Sequence, residues 1–215
     1  MLLIKIIKRC KAPVLFFLFA LIAYSASAGS RWVLKKESEG IKIYTRDATG
    51  GVQMLKAEFT ANGSPAQIMA FLLDIPAQKD WVYSTKSSVV LKRINARELI
   101  YYSEKSMPWP VTNRDAIMHL QIQQDPQTGI IKVAAYSVSD YMPAKKGIVR
   151  VPSSTVNWTI TPTGNNTMSI HYEAMVDAGG SVPAWVVNMF ITKGPLETFK
   201  KMRSILEDNP ALAIK

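Results

Sequence analysis

The stretch from Ser181 to Asn209 has the pattern of one long helix near the end of the chain, and any fold must cover its apolar side. Ser181 is suited to be the N-cap, and Pro183 is tolerated in a first helical turn. Helical spacing places one set of residues on a shared, inward-pointing face: Trp185, Met189, Thr192, Leu196, Phe199 and Leu206. We expect a kink at Lys193-Gly194-Pro195, because a proline inside a helix removes a hydrogen bond and clashes one turn back.

The first half of this predicted helix has almost no polar side. Its apolar residues span most of the helix circumference, so we expect that they cannot all face the interior; they are Val186, Val187, Phe190 and Ile191. Cations follow them, at Lys193, Lys200, Lys201 and Arg203, and would be attracted to an anionic bilayer. This pattern indicates a gate that contacts a membrane surface transiently. The alternative is that other segments cover the apolar residues and this half of the helix is core.

The N-terminus has the pattern of a signal peptide. A basic start precedes an apolar run from Val14 to Ala23, and Ala26-Ser27-Ala28 is typical of a cleavage site. The run is shorter than the roughly 20 residues of a membrane span, although an uncleaved anchor is the alternative. We therefore expect a signal peptide at residues 1–28 and a mature protein outside the cytoplasm, in a bacterial periplasm.

Cleavage after Ala28 would set the charge and the chemistry of the mature chain. The single cysteine, Cys10, would be lost, which leaves neither a disulfide nor a thiol nucleophile. Residues 29–215 carry 22 basic and 16 acidic residues, a net charge of +6, which favours anionic surfaces but also suits an ordinary soluble protein. Their length indicates a single domain.

Most of the mature chain has the alternating pattern of β-strands. A capped helix, Ala66 to Leu73, follows Ser64-Pro65 and interrupts the series. The predicted strands are Ile41 to Ile43, Val52 to Thr60, Ser87 to Ile94, Arg97 to Ser103, Ala116 to Gln124, Ile130 to Val138, Ile148 to Val151, Thr155 to Ile160 and Met168 to Val176. Consecutive strands with short turns predict an antiparallel meander with one buried face. With the long C-terminal helix against that face, the fold class is α+β.

Two segments resemble a known family. Pro108 to Asp115, with the sequence PWPVTNRD, is similar to the Pro-x-Pro-x-x-Asn-Arg-Asp segment of START domains, the lipid-transfer domains related to the steroidogenic acute regulatory protein. Asp177 to Trp185 is similar to the Asp-x-Gly-Gly-x-Ile-Pro segment that leads into the last helix of that family, with Val182 in place of isoleucine. The resemblance implies a single exported domain of bacterial type with the helix-grip (START/Bet v 1-like) fold, in which a curved antiparallel sheet wraps around the C-terminal helix and leaves a tunnel for a lipid.

The candidate ligand-binding residues follow from this expected tunnel. Trp158 and Tyr172 alternate with polar residues on their strands, so we expect them to face the C-terminal helix across the tunnel, unless they are ordinary core. The full set of tunnel candidates is Arg114, Arg150, Trp158, Tyr172, Trp185, Met189 and Phe199. Arg114 and Asp115 could present charge to a lipid head group, or they could pair with each other or with loop backbone and hold the entry to the strand. His119 and His171 alternate with apolar residues and are expected to face solvent.

The sequence favours binding over catalysis. It has no Gly-x-Ser-x-Gly turn, no metal-ligand spacing of its two histidines, no phosphate-binding glycine loop and no basic run interleaved with aromatic residues. We therefore expect no catalytic residue, metal, cofactor or nucleic-acid partner, and a monomer that binds a phospholipid, a sterol or a similar lipid. Two alternatives stay open: an enzyme acting on an apolar substrate in the tunnel, as in the related aromatic polyketide cyclases, or a non-catalytic module that binds an envelope protein.

Overall fold

The computed structural model describes residues 31–48 and 52–209, which form one large antiparallel sheet and a C-terminal helical segment. The strands of the described residues are β1 (Val33–Ser38), β2 (Ile41–Asp47), β3 (Gln53–Asn62), β4 (Thr85–Asn95), β5 (Glu98–Lys105), β6 (Arg114–Gln124), β7 (Ile131–Ser137), β8 (Val149–Arg150), β9 (Ser153–Gly164) and β10 (Thr167–Asp177). The predicted signal peptide, residues 1–28 with Cys10, lies outside the described residues.

The strand order is β1-β2-β3-β10-β9-β7-β6-β5-β4, and neighbours in this order are antiparallel. The short strand β8 departs from the pattern and pairs in parallel with the start of β6. Pairing of β3 with β10 joins the first strands to the last ones, so the sheet is continuous from one end of the domain to the other. The predicted α+β class and helix-grip fold are confirmed.

The helices are α1 (Pro65–Leu73), α2 (Gln78–Trp81), α3 (Ala184–Asn188) and α4 (Gly194–Asp208), with a π-helical turn, Met189–Lys193, between the last two. None of them is both long and apolar enough to cross a bilayer, within the part of the chain that the structure describes. The cap predicted for α1 is present as a capping box: the Ser64 hydroxyl accepts from the Gln67 N–H, and the Gln67 side chain accepts from the Ser64 N–H.

Gln67 also fixes the end of the C-terminal helix. Its side chain is buried, and Nε2 donates to the carbonyl oxygens of Leu206 (2.6 Å) and Asn209 (2.9 Å). Carbonyls at the end of a helix have no partner within the helix, so this amide satisfies groups that would otherwise be unpaired. On another side of α4, Lys200 and Arg203 bind the carboxylate of Glu39 in the turn after β1. The second half of α4 therefore contacts α1 through Gln67 and the turn after β1 through Glu39.

The start of the C-terminal helix differs from the prediction. Pro183, and not Ser181, is the N-cap; its carbonyl accepts from the N–H groups of Val186 and Val187, and no side chain caps the helix. Gly179 and Gly180 have φ values of 67° and 60°, so the preceding residues form a turn rather than a helical lead-in. Where the kink was predicted, next to Gly194-Pro195, the chain forms the π turn, in which the Gly194 N–H donates to the carbonyl of Met189.

The main core lies between the sheet and α4. Phe199 and Met202 of α4 are almost completely buried against apolar residues from β2, β3, β9 and β10. A smaller cluster of Ile100, Tyr102 and Ile117 lies on the other face of the sheet. The histidines also face outward as predicted: His119 contacts Glu98 and Tyr136, and His171 contacts Glu58 and Glu173.

Candidate functional site

A cavity of about 400 Å³ lies beside the main core, between the inner face of the sheet and the first part of the C-terminal helical segment. Its wall is mostly apolar and is built from β3, β5, β6, β7, β9 and β10 on one side and from the helices on the other. Pockets for small molecules are commonly ~300–1,000 Å³ and combine an apolar lining with a few polar groups. The cavity is therefore the strongest candidate for a ligand site.

Three aromatic residues predicted for the tunnel line this cavity as one cluster. The rings of Trp158 and Tyr172 meet edge to face, with centroids 4.7 Å apart. Phe199 of α4 contacts both, at 5.7 Å from Trp158 and 5.1 Å from Tyr172. Strands β9 and β10 pair Trp158 directly with Tyr172, so the alternating pattern of each strand turns both rings toward the helix.

Trp185 and Met189 do not line the cavity, which contradicts the predicted phase of the helix. Trp185 is 53% exposed and Met189 is half-buried, and neither belongs to the cavity wall of the described residues. The residues that do line it are Val186, Val187, Phe190 and Ile191. The expectation that these four cannot all face inward is therefore wrong. A π turn contains one more residue per turn than a regular α-helix, so residues four and five apart share a face there. The residues that face the cavity are therefore shifted by one position from those that a regular helix would place there.

Arg150 also lies outside the cavity wall. Its guanidinium forms two hydrogen bonds with the carboxylate of Asp115, at 2.6 and 3.2 Å, and donates to the carbonyls of Ser139 and Met142. Because Asp115 is occupied by Arg150, the predicted Arg114–Asp115 pair is wrong, whereas the predicted pairing of Arg114 with loop backbone is present. Adjacent residues of a strand point to opposite faces, which separates these two side chains. Arg150 therefore ties the segment after β7 to β6.

Arg114 lines the cavity as predicted. It is only 5% exposed, and it has no carboxylate partner among the described residues. Nη1 donates to the carbonyl of Thr112 and Nη2 to that of Gly179 (3.4 Å), while the buried Nε has no partner. A Cβ on Gly179 would lie 3.1 Å from Pro152, so glycine allows this turn to approach the sheet closely. Burial lowers the pKa of Arg114.

Lys105 is a second cation at the cavity, and the sequence analysis missed it. The predicted strand ended at Ser103, whereas β5 continues to Lys105, and Tyr101, Ser103 and Lys105 all line the cavity. The ammonium donates to the Tyr83 carbonyl (3.2 Å) and the Thr85 hydroxyl (2.5 Å). Burial lowers the pKa of Lys105 to about 7. Extending the period-two pattern of β5 by one step would have found this residue.

The other polar groups of the wall add no net charge, because the carboxylate of Asp115 is paired with Arg150 and the remaining groups are neutral. Burial raises the pKa of Tyr101 to about 12 and also raises the pKa of Tyr172, so both hydroxyls keep their protons at neutral pH. The described residues contain no group of three or more His, Cys, Asp or Glu side chains arranged to hold a metal ion. The arrangement offers apolar contact along most of the wall and positive charge at one place.

The comparisons with known proteins agree with this architecture. The START domain family model matches residues 20–211. An uncharacterized protein of Pseudomonas aeruginosa is 31% identical over 82% of this chain and 87% of its own length, and the mouse phosphatidylcholine transfer protein is 27% identical over 82% of this chain and 84% of its own. The crystal structure of a STAR-related lipid transfer protein from Xanthomonas axonopodis has a TM-score of 0.74 and 32% identity, and the match covers 82% of this chain and 98% of that one. The chain belongs to the START domain family.

Proposed function

We propose that this protein binds a lipid in the cavity between the sheet and the C-terminal helix and transfers it between membranes without catalysing a reaction. The mainly apolar cavity carries this proposal, because burial of hydrocarbon is favourable at roughly 25 cal/mol per Å². The mouse and Xanthomonas relatives are likewise named as lipid transfer proteins. The head-group class is a separate question.

We further propose that the protein exchanges lipid at one end of the sheet. The segment between β5 and β6 and the segment between β10 and α3 lie at this end, where Arg114 hydrogen-bonds to Gly179. Two exposed indoles lie here: Trp109, in the first segment, is 90% exposed, and Trp185, in the first turn of α3 after the second segment, is 53% exposed. Tryptophan is enriched at the interface between bilayer and water, where its ring contacts both phases. These indoles would hold the cavity end of the protein at a membrane surface.

The basic residues of the helix contribute less to this contact than the sequence indicates. Lys200 and Arg203 are paired with Glu39 on the surface of the protein. Lys193 and Lys201 are exposed and form no ion pair with a described carboxylate, so they are the cations of this helix that could meet anionic lipid. We therefore base membrane contact mainly on the two indoles.

Lipid loading and transfer test both parts of the proposal. We expect mass spectrometry of the purified protein to detect a co-purified lipid, and the protein to move fluorescent phospholipid between vesicles. Trp109→Ser should slow transfer several-fold and leave the amount of bound lipid unchanged, since the ring lies outside the cavity wall. Ile94→Ser is the matched control, because Ile94 is a 44% exposed apolar residue at the β4–β5 turn, the opposite end of β5. Absence of any bound or transferable lipid would refute the function; equal rates in both variants would refute the membrane contact.

We also propose that the protein is exported and cleaved after Ala28, on the basis of the basic start, the apolar run and the Ala-Ser-Ala sequence. We expect the protein to be recovered from the periplasmic fraction of its bacterial host. N-terminal sequencing of the exported protein should begin at Gly29. A chain that starts at Met1 in the membrane fraction would contradict this expectation.

A further inference from the structure

Two cations lie side by side in the cavity wall, a buried arginine and a half-buried lysine. Lys105 on β5 and Arg114 on β6 are direct cross-strand partners, and both line the cavity. Side chains in such a pair have their Cβ atoms about 5 Å apart, and like charges at this position are destabilising. Neither residue forms an ion pair with a carboxylate of the described residues. An arrangement of this kind is unfavourable unless an anion compensates for it.

The carboxylates nearest in sequence are already neutralised. Glu104 and Asp115 form the next cross-strand pair, where Glu104 binds Lys86 and Asp115 binds Arg150. Asp115 also contributes to the cavity wall, but its charge is balanced by the two hydrogen bonds from Arg150. These four residues sum to zero charge, so Lys105 and Arg114 leave this part of the wall positive.

The hydrogen-bond donors of this wall are also incompletely used. An ammonium has three donors and a guanidinium five. Lys105 donates to two oxygens, and Arg114 donates from Nη1 and Nη2 to one backbone carbonyl each. The described residues contain two buried side-chain polar atoms without a partner, Arg114 Nε and Trp81 Nε1. Both are N–H donors and both belong to residues of the cavity wall, so the wall lacks acceptors.

We propose that Lys105 and Arg114 form a binding site for the phosphate group of an anionic phospholipid, whose acyl chains occupy the apolar part of the cavity. This inference rests on the proposed function and adds the head-group class to it. A phosphate diester supplies one negative charge and several acceptor oxygens, and arginine binds phosphate through paired N–H donors. A bound phosphate also favours the charged form of Lys105 against the effect of burial.

The Lys105→Met variant separates this role from a role in folding. Methionine keeps the length and the apolar contacts of the lysine stem and removes the charge. We expect the lipid-free variant to have a higher Tm than the wild type, because a half-buried charge without an ion-pair partner among the described residues is gone. This gain should be full below about pH 7, where Lys105 is charged in the folded and unfolded chain alike, and should shrink at higher pH as the folded chain releases the proton first.

Binding is measured with delipidated full-length protein that is incubated with vesicles and isolated again. The vesicles contain phosphatidylglycerol, phosphatidylcholine or diacylglycerol with the same acyl chains, and bound lipid is quantified by mass spectrometry. The wild type should prefer phosphatidylglycerol. Lys105→Met should bind phosphatidylglycerol about tenfold more weakly, as expected for the loss of a charge-assisted hydrogen bond, and should bind diacylglycerol as the wild type does. Lys92→Met is the matched control, since Lys92 is exposed on β4 and outside the cavity wall.

The outcomes distinguish the inference from the function on which it rests. A wild type that takes up none of these lipids would refute the proposed function. Uptake without preference for phosphatidylglycerol, or an unchanged preference in Lys105→Met, would refute the phosphate site and leave lipid binding intact. Equal loss of phosphatidylglycerol and diacylglycerol in Lys105→Met would also refute it, because diacylglycerol has no phosphate. Thermal stabilisation by inorganic phosphate as strong as that by phosphatidylglycerol would identify a site for free phosphate instead.

Discussion

Replacing Phe199 by alanine is expected to lower the free energy of unfolding by about 3–5 kcal/mol, the range measured for truncation of buried aromatic residues. Phe199 is 2% exposed and lies at the centre of a group of rings. Its centroid is 4.8 Å from Phe59, 5.7 Å from Trp158 and 5.1 Å from Tyr172. Removing the ring would therefore leave three aromatic neighbours from β3, β9 and β10 without their contact to α4.

Phe190→Ala is the matched control for this prediction. Phe190 also lines the cavity, but it is half-buried, and its one ring contact is with Tyr83 at 5.6 Å. We expect less than half the loss seen for Phe199→Ala, measured by urea unfolding with an unchanged m-value. Equal losses in the two variants would show that the aromatic group around Phe199 does not dominate the packing of α4.

Replacing Asp115 by asparagine is expected to cost about 3–5 kcal/mol of stability, because removal of one partner of a buried ion pair leaves an uncompensated charge. Asp115 is 1% exposed, and the Arg150 side chain is 10% exposed. The asparagine keeps the size of the side chain, so the effect reports on charge and hydrogen bonding rather than on a cavity. Chemical denaturation of the purified variant measures it.

Two further variants test the cause of that loss. Glu39→Gln removes a carboxylate that binds Lys200 and Arg203 on the exposed surface, and we expect little change from it because solvent screens such pairs. The double variant Asp115→Leu, Arg150→Met removes both buried charges and should be more stable than Asp115→Asn, since buried pairs exchanged for apolar residues are often close to neutral. A double variant no more stable than Asp115→Asn would show that the hydrogen bonds of Arg150 to Ser139 and Met142 carry the effect instead.

The strands and their inward faces could be predicted from the sequence because the pattern that specifies them is local. Trp158 and Tyr172 alternate with polar neighbours, and this alternation alone fixes which face of a strand a residue occupies. The same argument places His119 and His171 on the outer face. Lys105 was missed, although the same pattern could have found it. It lies two residues beyond the predicted end of β5, on the same face as Ser103.

The phase of the C-terminal helix could not be predicted in this way, because a distant residue helps to set it. Pro195 lacks the N–H that a regular helix would use, and the chain forms a π turn before it. Tyr83 packs against the same point, where a Cβ on Gly194 would lie 3.0 Å from its ring. Helical periodicity therefore predicted that Trp185 and Met189 line the cavity, whereas the residues that follow them, Val186 and Phe190, line it instead. The ion pair of Arg150 with Asp115 could not be predicted from local periodicity either, because it depends on the parallel pairing of β8 with β6.

The unequal anchoring of the C-terminal helix has a consequence for how the protein can evolve. After Gly194 the helix is fixed by Gln67 and by the rings around Phe199. Before Gly194 it begins without a side-chain cap and borders the cavity through apolar side chains such as Val186 and Phe190. Substitutions before Gly194 can therefore change which chain lengths are accepted and how fast they are exchanged, while the residues after it keep the domain folded. The range of ligands can therefore change among descendants of one sequence while the stability of the fold is kept.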